Sequence, residues 1–255
     1  MKPLAIVLSG YGLNCEAETR FAFETAGANA DIVHVNDLIA RPSKLSKYQI
    51  MAIPGGFSYG DDTGSGKAFA NRLKNNLSDV LAAFLQRDTL MIGICNGFQI
   101  LTSLGLLPGA LTTNTSARYL DRWVDLKITG ESPWLCGIAT LSVPIAHGEG
   151  RYIIAEKELL KLQKGHRIGA QYVRGPMCRS MHLPANPNGA MGDVASVLGS
   201  EGRVLGMMPH PERASFFTQL PDWPLRRERL LRQGSKPPRL ADGIKVFQNA
   251  VRYFL

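Results

Sequence analysis

The stretch from Leu90 to Leu101, LMIGICNGFQIL, restricts the fold of this chain more than any other. An apolar run breaks at a cysteine that has Gly93 and Gly97 two positions to either side, and then resumes. Met91, Ile92 and Ile94 have the texture of a buried strand end. Phe98, Ile100, Leu101 and Leu104 fall on one side of a helix, so Cys95 is expected on the turn between the two. Gly93 and Gly97 omit side chains that would crowd such a turn, the arrangement of a strand-turn-helix nucleophile elbow with cysteine in place of serine. A helix beginning at Cys95 favours thiolate over thiol, and thiolate is the reactive species.

The surroundings of this elbow predict an α/β fold. Leu4 to Leu8 reads as a strand ending in Ser9-Gly10-Tyr11-Gly12, and Glu16 to Ala26 has helical spacing closed by Gly27. Ala30 to Val35 and Tyr48 to Ile53 read as further strands, the latter running into Pro54-Gly55-Gly56. Ala68 to Leu85 is helical and Leu90 to Ile94 is the next strand. Such alternation argues for a parallel sheet covered on both faces, with its site beyond the strand C-terminal ends, where Gly55, Gly56 and Cys95 fall. After Pro108 the segments shorten: Trp123 to Ile128, Leu141 to Ile145, Ile168 to Val173 and Val194 to Leu198 predict a mostly antiparallel continuation. Val204 to Met208 is one more buried strand, leading to Pro209-His210-Pro211-Glu212. Asp242 to Leu255 predicts a closing helix. The chain reads as a single domain over residues 1–255.

Composition excludes several classes. At 255 residues with 45% hydrophobic and 20% charged residues the chain supports a large core without staples. No apolar run approaches the roughly twenty residues that span a bilayer, and Met1 to Leu8 leads into a strand with no cleavage site, so a cytoplasmic protein with no membrane partner is expected. Cys15, Cys95, Cys136 and Cys178 are too scattered for a zinc pattern and too few for a disulfide framework; Cys15, Cys136 and Cys178 are expected to be small buried residues. The net charge of +8 is densest at Arg226, Arg227, Arg229, Arg232, Lys236 and Arg239, inside a Pro-rich segment, 214–241, with Trp223 as its aromatic after Pro221. That composition favours a solvated insertion or protein-docking segment over nucleic-acid binding.

A cysteine nucleophile needs a base, and the base an orienting group. His210 and Glu212 suit those roles, because residues two apart in an extended segment face the same way. Other motifs are weaker. Gly64-Ser65-Gly66-Lys67 lacks the first glycine and the final Ser or Thr of a phosphate loop. His147-Gly148-Glu149 has no third metal ligand at useful spacing, so no metal site is expected. Asn186-Pro187-Asn188-Gly189 is a turn by composition. His34, His166 and His182 have no partner pattern.

Three motifs in order, Pro54 to Asp61, Gly93 to Gln99 and Pro209 to Glu212, resemble the class I (triad) glutamine amidotransferases. With Pro144-Ile145-Ala146-His147-Gly148-Glu149-Gly150, Asn186 to Gly189 and Gly206 to Arg213, the likeness narrows to the family of glutaminase subunits of phosphoribosylformylglycinamidine (FGAM) synthases. The resemblance implies a flavodoxin-like three-layer sandwich with a mostly parallel central sheet and a small antiparallel β extension. It implies hydrolysis of glutamine to glutamate and ammonia by Cys95, His210 and Glu212, with the Gly56 and Asn96 backbone amides as oxyanion hole. Gly55, Phe57, Gln99, Gly148 and Glu149 are implied near the substrate. It further implies no cofactor in this chain, ATP and Mg on a large FGAM synthetase subunit, a small accessory subunit as further partner, and a place in purine biosynthesis. A stand-alone cysteine hydrolase or chaperone-like protein of the same fold, and a catalytically silent interaction subunit, are the alternatives. The 214–241 segment is the main departure from the pattern.

Overall fold

A computed structural model describes residues 1–61 and 64–255. In chain order the elements are β1 (Leu4–Ser9), α1 (Glu16–Ala26), β2 (Asn29–His34), α2 (Val35–Ala40), β3 (Ile50–Ile53), α3 (Lys67–Gln86), β4 (Leu90–Ile94) and α4 (Asn96–Ser103). There follow β5 (Ala110–Thr112), β6 (Leu120–Ile128), β7 (Thr140–His147), β8 (Arg151–Ile153), α5 (Glu156–Lys164), β9 (Ile168–Val173) and α6 (Pro176–Ser180). The chain closes with β10 (Val194–Gly199), β11 (Val204–Met207), α7 (Trp223–Arg232) and α8 (Ile244–Arg252), with single 3₁₀ turns between elements.

One sheet runs in the order β2-β1-β3-β4-β11-β10-β9-β6-β7, and β5 pairs with β8 in a separate two-stranded sheet. From β2 through to β11 every neighbouring pair is parallel. From β11 through to β7 every pair is antiparallel. The predicted antiparallel continuation is therefore an uninterrupted extension of the parallel sheet. β3, β4 and β11 are buried at every position, which is why their sequences read as unbroken apolar runs: helices cover both faces. On one face α1 packs against α8, where Phe23 meets Phe247 edge-on with ring centroids 4.9 Å apart.

The third strand is shorter than its apolar run predicts, because Tyr48 ends a 3₁₀ turn over Pro42–Lys47 and donates its N–H to the Leu45 carbonyl. Helices α2 and α6 escape the sequence reading, being only six and five residues long, and the nine-residue α5 escapes it as well. Residues 215–241 form a closed excursion. Phe216 bridges Leu240, and the Phe217 N–H donates to the Arg239 carbonyl at 3.1 Å. Within it α7 carries the arginines, and Phe217, Leu220 and Ala241 make a small core with Trp123, Trp223 and Leu230. Of the cysteines expected to be buried, Cys15 and Cys178 are; Cys136 is exposed.

Candidate active site

Cys95 sits between β4 and α4 with φ 51° and ψ −105°, a conformation that a non-glycine residue adopts only when its surroundings impose it. They do so on both sides. The Cys95 N–H donates to the Met207 carbonyl at 2.8 Å, extending the β4–β11 ladder, and the Cys95 carbonyl accepts from Phe98 and Gln99 as α4 begins. A Cβ on Gly97 would strike the Ile53 carbonyl, and one on Gly93 would lie 2.5 Å from the Gly97 carbonyl oxygen, so only glycine lets helix and strands approach this closely. The elbow predicted from the glycine spacing is present.

His210 follows β11, and Glu212 lies in the 3₁₀ turn Pro211–Arg213. Their side chains meet although the segment is not extended: His210 Nδ1 and Glu212 Oε1 are 2.6 Å apart and both residues are buried. The other ring nitrogen, Nε2, has no full hydrogen-bond partner among the described residues. Burial works against an imidazolium here, yet the Glu212 carboxylate and the nearby Cys95 and Cys15 sulfurs outweigh it and hold the His210 pKa well above its ordinary value. The Cys95 thiol is directed at the Ala146 carbonyl, 3.7 Å away.

Gly55 and Gly56 form the floor. A Cβ on Gly55 would come within 2.7 Å of His210 Cε1, 3.1 Å of Cys15 Sγ and 3.5 Å of Cys95 Cβ, so nucleophile and imidazole converge over one glycine. Gly56 has φ 154°, and its flanks are tied to the loop after β1 by Asn14 N–H to Gly55 O and Phe57 N–H to Gly12 O. That pairing leaves the Gly56 amide without a backbone acceptor among the described residues. The Asn96 amide, the first of α4, likewise has none among the described residues.

The far wall comes from the last strand of the sheet order. Pro144 on β7 accepts from the His210 N–H at 2.9 Å, so the β6–β7 pair brings its end back to the elbow. His147 closes that strand, buried, with Nδ1 3.1 Å from Asn114 Oδ1. Burial foremost, and the charge of His210 next, lower its pKa to about 4. Asn114 also accepts from the Gly150 N–H and donates to the His147 carbonyl, while Asn188 donates to the Gly150 carbonyl at 2.8 Å. The Asn186 to Gly189 turn thus fastens the loop that carries Gly148 and Glu149.

Gln99 is buried, and its amide links that loop to α4: Nε2 donates to the Glu149 carbonyl at 2.7 Å and Oε1 accepts from Asn96 Nδ2 at 2.8 Å. The Glu149 carboxylate accepts from the Ser65 N–H at 3.3 Å. Phe57 is exposed with its ring centroid 6.1 Å from that of Tyr119, itself near enough to Cys95 and His210 to feel their charge. All ten residues singled out from the sequence therefore lie around one site, together with Cys15, Asn114, His147, Asn188 and Arg213, which the sequence reading did not place there. No helix among the described residues is long and apolar enough to cross a membrane.

The chain is similar to curated proteins over its whole length. It is 46% identical to the phosphoribosylformylglycinamidine synthase subunit PurQ of Methanococcus maripaludis, across 99% of this chain and 97% of that one. It is 39% identical to the protein of the same name in Dehalococcoides mccartyi, across 99% and 98%. Among solved structures, PurLQS from Thermotoga maritima matches at 32% identity and a TM-score of 0.73 over all of both chains. The profile of the CobB/CobQ-like glutamine amidotransferase domain matches residues 2–254. The chain belongs to the CobB/CobQ-like glutamine amidotransferase domain family.

Proposed function

We propose that this chain is the glutaminase subunit of an FGAM synthase, acting in the cytoplasm in de novo purine synthesis. The observation that carries the chemistry is the buried His210–Glu212 pair, 2.6 Å apart, beside a cysteine on a strained strand-to-helix turn. The Glu212 carboxylate favours an imidazolium at His210 beside that sulfur, and an imidazolium next to a cysteine is the pairing that makes the cysteine nucleophilic.

In this reading the Cys95 thiolate attacks the side-chain amide carbon of glutamine. The oxyanion that forms is met by the Gly56 and Asn96 amides, both without backbone acceptors among the described residues, at the positive end of α4. His210 gives its Nε2 proton to the departing nitrogen, ammonia leaves, and a γ-glutamyl thioester remains on Cys95. A water then attacks the thioester, His210 takes the proton from it, and glutamate is released with the thiolate restored. Glu212 keeps the Nδ1 proton in place throughout. Phe57, Gly148 and Glu149 line the opening where the amino-acid end of the substrate enters; Gln99 holds that wall by bonding the Glu149 carbonyl.

Ammonia released into water becomes ammonium and is lost as a nucleophile, which favours delivery through a docked partner. That partner is the large synthetase subunit, which carries the ATP and Mg chemistry, with a small accessory subunit. The test is glutamate release by the purified chain with and without the synthetase, repeated with Cys95→Ala. Loss of at least about 10⁴-fold is expected, together with loss of covalent labelling by a glutamine-like electrophile. Hydrolysis that survives the substitution removes Cys95 from the reaction.

A further inference from the structure

A second pair of side chains lies behind His210 and Glu212, and the hydrolysis as written does not use it. Cys15, just before α1, is 1% exposed, and its Sγ accepts a hydrogen bond from Arg213 Nη2 at 2.9 Å. That sulfur, a ring nitrogen of His210 and a carboxylate oxygen of Glu212 all lie within 4.8 Å of one another. The sulfur is fixed in place. The Cys15 N–H donates to the Gly55 carbonyl, the Cys15 carbonyl accepts from Thr19 N–H and Oγ1, and the thiol is 3.4 Å from Asn14 Oδ1. Gly55 brings it against the ring, since its α-carbon faces Cys15 Sγ and His210 Cε1 together.

Three buried Cys, His and Glu donors are also a set that zinc accepts. Here the guanidinium already occupies the sulfur, and its positive charge opposes a cation beside it. Arg213 is in turn 3.8 Å from Glu18 on α1. The arrangement is a bridge: Cys15 just before α1 and Glu18 within it both contact Arg213, and Arg213 is the neighbour of Glu212 in the chain.

We propose that Cys15 and Arg213 form a positioning pair for His210, in which the sulfur packs against the imidazole and carboxylate while anchoring the guanidinium, so that Nε2 stays aimed at Cys95 through both proton transfers. This rests on the assignment of Cys95 and His210 in the proposed function. The groups that face His210 come from every side: Glu212 and Arg213 on its own segment, Cys95 from the elbow, Cys15 with Glu18 beyond it at the start of α1, His147 at the end of β7, and Tyr119 ahead of β6. Within that set the Cys15 sulfur favours the imidazolium, and Arg213 is kept turned to the sulfur. Removing the sulfur therefore loosens the ring and lowers the pH at which His210 loses its proton.

The experiment compares the full chain with its Cys15→Val, Cys15→Ser and Arg213→Met forms, measuring glutamate release against pH with the synthetase present. Cys15→Val keeps the volume and removes the acceptor. It is expected to lower kcat on the order of tenfold, the loss typical of outer partners that orient an imidazole, with KM within about twofold, and to shift the alkaline limb of the pH profile downwards. Cys15→Ser, which keeps an acceptor, recovers most of kcat and the limb. Arg213→Met, which releases the sulfur and also removes a cation that opposes the imidazolium, lowers kcat to a similar degree without the downward shift, and combining it with Cys15→Val adds little further loss of kcat, because the two position the ring as one unit. An unmoved pH profile in Cys15→Val overturns the proposal even if kcat falls, since that is the mark of a merely structural role; so does equal loss in Cys15→Ser. If Cys15→Val does not fold, the pH profile of Cys15→Ala decides in its place: a downward shift supports the pair and an unmoved limb overturns it. Failure of the underlying reading is separate, because it shows as activity retained by Cys95→Ala.

Discussion

His210, beyond the end of β11 in the parallel half of the sheet, and His147, at the end of β7 in the antiparallel half, are equally buried and come to the same site, yet they are held in opposite charge states. Burial alone acts on both and disfavours the cation. For His147 the neighbour is the neutral amide of Asn114, and burial, joined by the charge of His210, brings the pKa down to about 4. For His210 a carboxylate 2.6 Å away reverses the outcome. The difference teaches that the parallel half supplies the groups that change charge, while the antiparallel half supplies a wall of fixed, neutral polarity.

The sharpest way to break this contrast is to neutralise the carboxylate. Glu212→Gln keeps the shape and removes the charge, leaving His210 in the situation of His147. Glutamate release is expected to fall about 10³ to 10⁴-fold, as when the orienting carboxylate of a serine triad is replaced by its amide. A variant retaining a tenth of the activity would mean that the sulfurs alone sustain the imidazolium.

The second test reads the neutral histidine through stability. In the unfolded chain His147 binds a proton below about pH 6.5; in the folded protein it does so only below about 4. Between those values the unfolded state binds more protons, so the contribution is present above pH 6.5 and is lost as pH falls, by up to about 3 kcal/mol. His210 adds nothing to that slope, because its raised pKa contributes stability fully below its unfolded value and loses it only as pH rises. Unfolding by urea at pH 6.5 and pH 4.5 should show the loss, and His147→Asn should flatten it. An equal slope in His147→Asn assigns the acid sensitivity to other groups.

The smallest expected effect lies farthest from the histidines. Deleting residues 220–238 leaves Phe217, Thr218, Gln219 and Arg239 as a turn across the Phe216–Leu240 bridge. The free chain should then hydrolyse glutamine within about twofold of its original rate, because the excursion contributes no group to the elbow. Its exposed Leu225 and Leu231 beside the arginines of α7 suit a protein surface, and affinity for the synthetase should drop roughly tenfold, the scale of one or two contact residues. Unchanged affinity assigns α7 to solvent.

How far the sequence was legible differs between the two halves for the same reason. In the parallel half the signals are local: Leu90–Ile94 and Glu16–Ala26 form over the expected bounds, and Gly93 and Gly97 announce the elbow through their own crowding. The positions of the Gly56 and Asn96 amides follow from that elbow and from the glycines after β3. In the antiparallel half the signals are distant. Only the family resemblance of the Pro144 to Gly150 motif puts this stretch at the site; no local pattern says that the last strand of the sheet order returns to touch His210 and Cys95. Asn188 reads as part of a turn, although its side chain fastens Gly150 from 38 residues away. Gln99 is placed near the substrate by the family resemblance, and in the fold its amide is taken up in holding Glu149.

Periodicity, glycine spacing and the order of three motifs are properties of neighbours along the chain, and from them the amino acids alone specify an α/β sheet, a cysteine at its crest and a His-Glu pair two residues apart. The charge on that histidine, the neutral state of its counterpart and the 198-residue reach from Arg213 to Cys15 arise only when β4, β11, β7 and α1 are packed together. A pKa responds to burial and to charges a few ångströms off, and those distances exist only in the folded chain.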